Sequence, residues 1–400
     1  MKPTSLQVLV QCLAQIEPPR VESIPRRQAR GRVLAQNICA DRDYPAGNLS
    51  MMDGYAVGSL QRESYPIDGD NLPGSGPGEP LQEGYARRIF TGAELPSGGW
   101  RVLPKEVVLA EAGTIQVQEW PESVYIRPRA QEARRGDVVL DAGTVLWAVE
   151  LSILANLGCS EVNVFARPRV GHLVTGDEIV SADLALPEGK LRDSNSDLVA
   201  AALATHGGFE ITLHERVSDN RDLLFQRVRE MAGACDFLLI SGGASVGDHD
   251  HARPALEAAG FQFVAHRLNL RPGGPAGVAR SGGKWAFALP GNPLSHLVVL
   301  RLLVVPLLQA CAGEREVEPQ LVRGILSGPL PDEPVGRETF WPAKAVLRDG
   351  DVHLHPGRFL SSGDLIGIAG MNALIHLPSE KPVPAVNDPV YFLPLAPYFA

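Results

Sequence analysis

Cysteine is scarce in this 400-residue chain. There are five, none of them in a C-x-x-C pair. Scattered at Cys12, Cys39, Cys159, Cys235 and Cys311 and odd in number, they argue against a disulfide framework and fit reduced thiols in a cytosol. Positive charge is also short: 37 Lys and Arg stand against 46 Asp and Glu, a formal net charge of -9. No basic face is evident, which excludes general nucleic-acid binding. The Arg26-Arg27 and Arg134-Arg135 pairs are short and have acids nearby. No charged-then-apolar signal peptide opens the sequence. The longest apolar run, 297–312, is interrupted by Arg301 and Pro306 and reads as too short to span a bilayer. A cytoplasmic location is therefore expected, and the Asn48-Leu49-Ser50 sequon carries no meaning there. Ten histidines show no HxxxH or HExxH spacing, which argues against a His-built zinc site. The absence of a Walker GKS/T excludes a P-loop NTPase. Residues 243–247, GASVG, match the GxSxG pattern in form. Small residues separate them from the preceding strand, and two acids follow before any helix, so a nucleophile elbow is not expected.

What is present is globular: 44% hydrophobic, 21% charged, and long enough for two to four domains. Leu6, Val8, Leu9, Leu13 and Ile16 repeat at helical spacing until Pro18-Pro19. Residues 31–40, GRVLAQNICA, start helical and drift towards β. From 41 to about 137, glycine and proline are dense and strands are short, the texture of a small β-rich domain with long loops. Residues 147–157 form a helix ending at Gly158. From about 169 to 312 the alternation is βαβα: strands at 170–174, 209–217, 237–240, 261–265 and 285–289, helices at 196–205, 222–232, 251–259 and 294–311. That predicts a doubly wound α/β domain. The last ~90 residues read as a separate small β-barrel or sandwich.

Chemistry gathers in the loops at the strand carboxyl ends. The stretch 236–250, DFLLISGGASVGDHD, is a buried strand that runs into glycines, small hydroxyls and two acids. Glycines let backbone N–H groups approach a ligand, and the acids call for a divalent cation if that ligand is a phosphate. Around it, TGDEI places Thr175 and Glu178, RDSN places Asp193 and Ser194 at a helix start, and VSDN places Asp219. RPGGP brings Arg271, with Arg267 just upstream, and LPGNPLS brings Asn292 and Ser295. Helix N-termini, amides and two arginines suit a pyrophosphate; the acids suit Mg²⁺. Asp193 and Ser194 also read as plain helix caps. In the β-rich part, SMMDGYAV (50–57) and FTGAELPSGG (90–99) are further glycine-bearing loops.

Taken together, SMMDGYAV, RIFTGAELPSGG, LVTGDEI, DSN, LLISGGASVGDHD, RPGGP and ALPGNPLS occur in this order, with GRVLA near the start and GRETF, SSGDL and the Asn372 run near the end. The whole chain resembles the MoeA family of molybdopterin molybdenumtransferases, which includes the gephyrin E domain. The resemblance implies an elongated dimerisation domain from 1–40 plus 138–168, an inserted β-rich domain at 41–137, an α/β molybdopterin- and nucleotide-binding domain at 169–312, and a C-terminal β-barrel at 313–400. It implies a homodimer whose cleft lies between the α/β domain of one copy and the inserted domain of the other. The implied reaction places molybdenum from molybdate on adenylylated molybdopterin and releases AMP, with Mg²⁺ as divalent cation. A molybdopterin adenylyltransferase and molybdoenzymes are the implied protein partners. Position by position, Asp53, Glu178, Asp219 and Asp250 match the catalytic acids, the last three also as metal ligands. Thr91, Arg127, Glu132, Thr175, Ser194, Gly242, Gly243, Ser245, Arg267, Arg271, Asn292 and Ser295 match substrate-binding positions. Departures are Gly274 in place of a lysine, Arg267 and Arg271 in place of lysines, Ala130-Gln131 in a GED motif, Gly47 in place of an aromatic, and Gly99-Trp100 after TGAELPS. The alternative is a divergent, non-catalytic paralogue that binds molybdopterin or a partner protein as a carrier or scaffold.

Overall fold

In the computed structural model, which describes residues 2–205, 209–242, 251–330, 336–379 and 381–395, the strand Phe237–Ser241 is buried along its whole length. It lies inside a six-stranded sheet of order Ile211–Val217, Val170–Thr175, Phe237–Ser241, Lys284–Leu289, Gly277–Ser281, Gln262–His266. An apolar strand without alternation is what a sheet covered on both faces requires. The alternation appears instead in which core each side chain joins. Phe237 and Leu239 enter one cluster with Trp285, Phe287 and Leu289. Leu238 and Ile240 enter another with Ala286 and Ala288.

The first four strands run parallel in that order. Gly277–Ser281, which sequence periodicity did not separate, runs antiparallel to both neighbours, and Gly282 at φ 56° makes the turn into Lys284–Leu289. Helices Asn195–Thr205, Arg221–Ala234 and Ala252–Ala258 make the crossovers. Arg221–Ala234 starts on Asn220, whose side chain accepts the Leu223 N–H at 3.0 Å.

Pro293–Cys311 is one continuous helical run of 19 residues with mean hydropathy 1.9, long and apolar enough to cross a membrane by length and composition. That corrects the reading of this run as broken and too short. Pro306 does not end it because the preceding turn, Leu300–Val304, is π-helical, with Val305 N–H reaching Leu300 O. The wider turn accommodates a ring that would otherwise meet the carbonyl one turn back. The run is 72% buried within the protein. It shares its core with Ser5–Leu13, a helix begun by a capping box between Thr4 and Gln7. Arg301 donates to Pro394 O at 2.9 Å, and burial lowers its pKa to about 10.

Residues 31–40 form no helix; after the short 3₁₀ turn Arg26–Gln28 they are irregular until Ile38–Cys39. Toward the C-terminus, Glu338–Arg348, Asp351–Pro356, Val322–Leu326, Pro389–Pro394 and Ala373–Leu377 pair in turn, and the last pairs back with the first. The result is a closed five-stranded barrel filled by Trp341, Leu354, Ile375 and Phe392. Leu270–Arg271, from the α/β part, pairs with its Glu338–Arg348 strand.

By contact density the chain divides into two compact units. One comprises Met1–Ala35, Val145–Trp147 and Glu161–Ala400, and so holds both the α/β part and the barrel; the other comprises Gln36–Thr144 and Ala148–Ser160. The second contains a six-stranded sheet of order Arg101–Pro104, Gly54–Val57, Ala86–Ile89, Ser64–Asn71, Thr114–Val117, Val108–Glu111. Tyr65, Leu103 and Ile115 form one core and Ile89, Val102 and Leu95 another. Helix Ala148–Asn156 belongs to this unit. All five cysteines are free thiols.

Candidate active site

At the carboxyl edge of the parallel strands lies a cleft of about 650 Å³. Its walls come from five segments of one unit. Val170–Thr175 supplies Thr175 and, beyond it, Glu178. The 191–195 segment supplies Arg192, Ser194 and Asn195. Phe237–Ser241 supplies Ser241 and then Gly242, and residues 291–293 and 363–366 complete the rim. Two short paired strands, Ile179–Val180 and Leu191–Arg192, join the segments that carry Glu178 and Arg192 at one wall. Crevices at this edge of an open α/β sheet are the general ligand position.

Gly242 shows why a glycine stands there. Its φ is +96°, and a Cβ on it would lie 2.5 Å from the Thr175 carbonyl oxygen. Strand end and neighbouring loop are therefore in backbone contact across the cleft floor.

Asp193 is buried. Its Oδ1 accepts the Ser196 N–H at 3.0 Å, its Oδ2 accepts the Ser196 hydroxyl at 2.6 Å, and Arg216 pairs with it at 3.0 Å. Burial raises its pKa, but these bonds outweigh burial and hold the carboxyl below the usual range. It acts as the helix cap. Asn195 donates to Gly291 O at 2.8 Å, while its own Oδ1 is buried and accepts no bond among the described residues. Asn292 donates to Ser362 Oγ at 2.7 Å, and Leu294 N–H donates to Ser362 O at 3.1 Å. The barrel loop thus takes up donors at the helix start. Ser295 is buried inside that helix.

The structure gathers Thr175, Glu178, Ser194, Gly242 and Asn292 on the cleft. Asp219 stands on the adjacent strand end, where its Oδ2 accepts the Asp177 N–H at 3.3 Å. Arg267 and Arg271 lie outside the cleft lining; Arg267 has φ 68°, and Arg271 stacks its guanidinium over Phe359 at 5.6 Å. Gly243, Ser245 and Asp250 lie outside the described residues. Asp53, Thr91, Arg127 and Glu132 belong to the other unit. There Thr91 donates both its N–H and its hydroxyl to Asp53 Oδ1, at 2.9 and 2.8 Å. These two bonds, with weaker help from Lys105 and Arg88, hold the Asp53 carboxyl below its usual range. Arg127 forms an ion pair with Glu132.

Arg192, Asn195 and Asp364 also line the cleft. Sequence reasoning placed Asn195 at the helix start but gave Arg192 and Asp364 no role, although RDSN and SSGDL carry them. No sequence signal pointed to the two buried histidines below the floor, His172 and His296.

Hard carboxylate oxygens on adjacent loops, Glu178 and Asp219, match a Mg²⁺ held by one or two acids together with substrate phosphates. Among the described residues no cluster of three metal-binding side chains occurs.

Residues 4–158 match the family model of the MoeA N-terminal region (domain I and II), and residues 171–310 that of the probable molybdopterin binding domain. Molybdopterin molybdenumtransferase from Nostoc sp. is 35% identical over 364 residues, covering 88% of this chain and 83% of that protein. The Staphylococcus aureus protein of the same name is 30% identical over 368 residues, covering 89% and 87%. In three dimensions the chain is similar to the molybdopterin biosynthesis moeA protein of Pyrococcus horikoshii OT3, with TM-score 0.82, 25% identity, and coverage of 98% of this chain and 100% of that one. The chain belongs to the MoeA family of molybdopterin molybdenumtransferases.

Proposed function

We propose that this chain is an enzyme of molybdenum cofactor biosynthesis that inserts molybdenum from molybdate into adenylylated molybdopterin and releases AMP. The observation that carries this reading is the cleft at the strand carboxyl edge, where Thr175, Glu178, Gly242 and Asn292 converge from loops separate in sequence. Its family membership supports the same reaction.

In this reading the phosphoanhydride lies over the cleft floor, where backbone at Gly242 can approach it without a side chain in the way. Thr175, Ser194, Asn292 and Arg192 orient it. Glu178, Asp219 and Asp250 would hold Mg²⁺, which when bound would neutralise charge on the phosphates. Asp53, kept ionised by Thr91, is the fourth catalytic acid. Arg127, Glu132, Arg267 and Arg271, with Gly243, Ser245 and Ser295, complete the substrate-binding set. Molybdate is the donor and is consumed.

We further assign the chain to a homodimer in which Asp53 and Thr91 reach the cleft from the second copy, and to the four parts 1–40 with 138–168, 41–137, 169–312 and 313–400. The test is AMP release from adenylylated molybdopterin with Mg²⁺ and molybdate. Wild type should release AMP only when molybdate is present, and Glu178→Gln should not. Molybdate-independent release, or none, sinks the reading. A monomer by light scattering overturns the shared cleft.

A further inference from the structure

Beneath the cleft floor, Ser241 sits between two histidines that are fully buried. Its Oγ lies 2.5 Å from His172 Nε2 and 3.3 Å from His296 Nε2, and His296 Nδ1 lies 3.0 Å from the Pro290 carbonyl oxygen. These contacts fix where every proton must be. A carbonyl only accepts, so His296 carries its proton on Nδ1 and donates it to Pro290. Burial lowers the pKa of His296 to about 4 and of His172 to about 3, so both rings are neutral at physiological pH. A neutral His296 therefore has a bare Nε2, which accepts the one hydroxyl proton of Ser241. The Ser241 oxygen is then left to accept, and His172 must donate from Nε2. His172 Nδ1 is bare, and among the described residues it has no partner.

We infer that Ser241 is a positioning residue, held by a His172–Ser241–His296–Pro290 chain of one fixed polarity, and that this chain sets the spacing of the cleft walls for the reaction. Its members stand on three different walls. His172 is on the strand that ends in Thr175 and leads to Glu178. Ser241 precedes Gly242. Pro290 precedes Gly291 and Asn292, and His296 belongs to the helix that follows. Three segments, joined by bonds that span 69 and 55 residues of sequence, are thereby tied at one hydroxyl below the ligand position. A chain of protons with one direction has one length, so it locks spacing more tightly than packing of apolar side chains would. Neutral rings also keep charge out of the floor.

The catalytic consequence rests on the molybdenumtransferase reading, whereas the proton arrangement does not. Two measurements separate them. In ¹⁵N-histidine NMR of the wild-type protein near neutral pH, His172 should show a protonated Nε2 and bare Nδ1, and His296 the opposite tautomer. Ser241→Ala should release His172 from its state, while the Pro290 carbonyl still holds the His296 proton on Nδ1, and Ser241→Thr, which keeps the hydroxyl, should restore His172. A wild-type His172 protonated on Nδ1, or a His172 tautomer unchanged in Ser241→Ala, overturns the relay. In the AMP-release assay, Ser241→Ala should lower kcat/KM about 10- to 100-fold, the loss typical of slightly misplaced binding groups, with recovery in Ser241→Thr. Wild-type kcat/KM in Ser241→Ala overturns the positioning role. If wild-type protein itself releases no AMP, the functional reading fails and the tautomer measurement alone decides the relay.

Discussion

Asp177 and Asp219 clasp each other across two neighbouring strand ends. The Asp219 carboxylate accepts the Asp177 N–H at 3.3 Å, and the Asp177 carboxylate accepts the Asp219 N–H at 3.0 Å. One of the proposed metal ligands is thus also a structural clamp on the loop that presents Glu178. A substitution that removes only its charge separates the two roles.

Asp219→Asn keeps an acceptor for the Asp177 N–H. We expect stability within about 0.5 kcal/mol of wild type. Mg²⁺-dependent AMP release should fall by about tenfold or more, because a carboxamide is a poor ligand for a hard cation. Equal losses of stability and turnover would assign Asp219 to the clamp alone.

Thr91→Ala removes a hydroxyl from Asp53 Oδ1 and leaves the backbone donor. The Asp53 pKa should rise towards that of a free carboxyl, measurable by NMR titration. The folded pKa lies below the unfolded one, so the bonds to Asp53 contribute above the unfolded value and are lost as pH falls through the folded one. The variant should therefore narrow the acidic side of the activity profile while leaving neutral pH little changed.

Gly242→Ala places a methyl 2.5 Å from the Thr175 carbonyl at φ +96°. The backbone conformation alone costs about 1–3 kcal/mol for a residue with a Cβ. Chemical denaturation should report at least that loss, and substrate affinity should fall with it. A variant with wild-type stability would mean that this backbone contact yields without cost.

Asp193→Ala deletes the cap on Ser196 and the partner of Arg216. The missing cap should cost about 1–2 kcal/mol. Because Arg216 is about a third exposed, the ion pair adds little beyond that. Folded-state Asp193 is depressed, so its contribution is lost as pH falls through its folded pKa, and the variant should show a flatter acid limb of stability against pH.

Ala130 stands at φ 59°, a left-handed conformation, where the family motif has glycine. Ala130→Gly relieves a strain of about 1–2 kcal/mol and loses part of that gain to a more flexible unfolded chain. A net rise in stability of about 0.5–1 kcal/mol should appear in denaturant titration. A loss would mean that the Ala130 methyl packs usefully.

The α/β part was legible because its signals are local. Runs such as 237–240 are apolar on both faces, and their boundaries moved by only a residue or two. Cleft residues such as Glu178 and Gly242 follow from the position of loops after strands. The strand Gly277–Ser281 was missed because GVARSGGKW carries no periodicity that distinguishes a hairpin from a loop. Pro306 was misread because a π-turn that absorbs a proline has no local signature. His172 and His296 were invisible for a deeper reason: each is an ordinary polar residue in an apolar run, and only the sheet brings both to Ser241. The left-handed Ala130 was invisible because the sequence departs there from the glycine such a conformation favours.

The bonds from Asn292 and Leu294 to Ser362 have a consequence for how this chain can be divided. The α/β sheet looks like a portable module, yet the first turn of its longest helix is finished by a loop borrowed from the barrel. A fragment ending near residue 312 would keep every strand of the sheet and still lose a wall of its cleft, with Leu294 N–H and the Asn292 amide exposed in its place. The barrel is therefore a removable domain by topology and an irreplaceable part by chemistry.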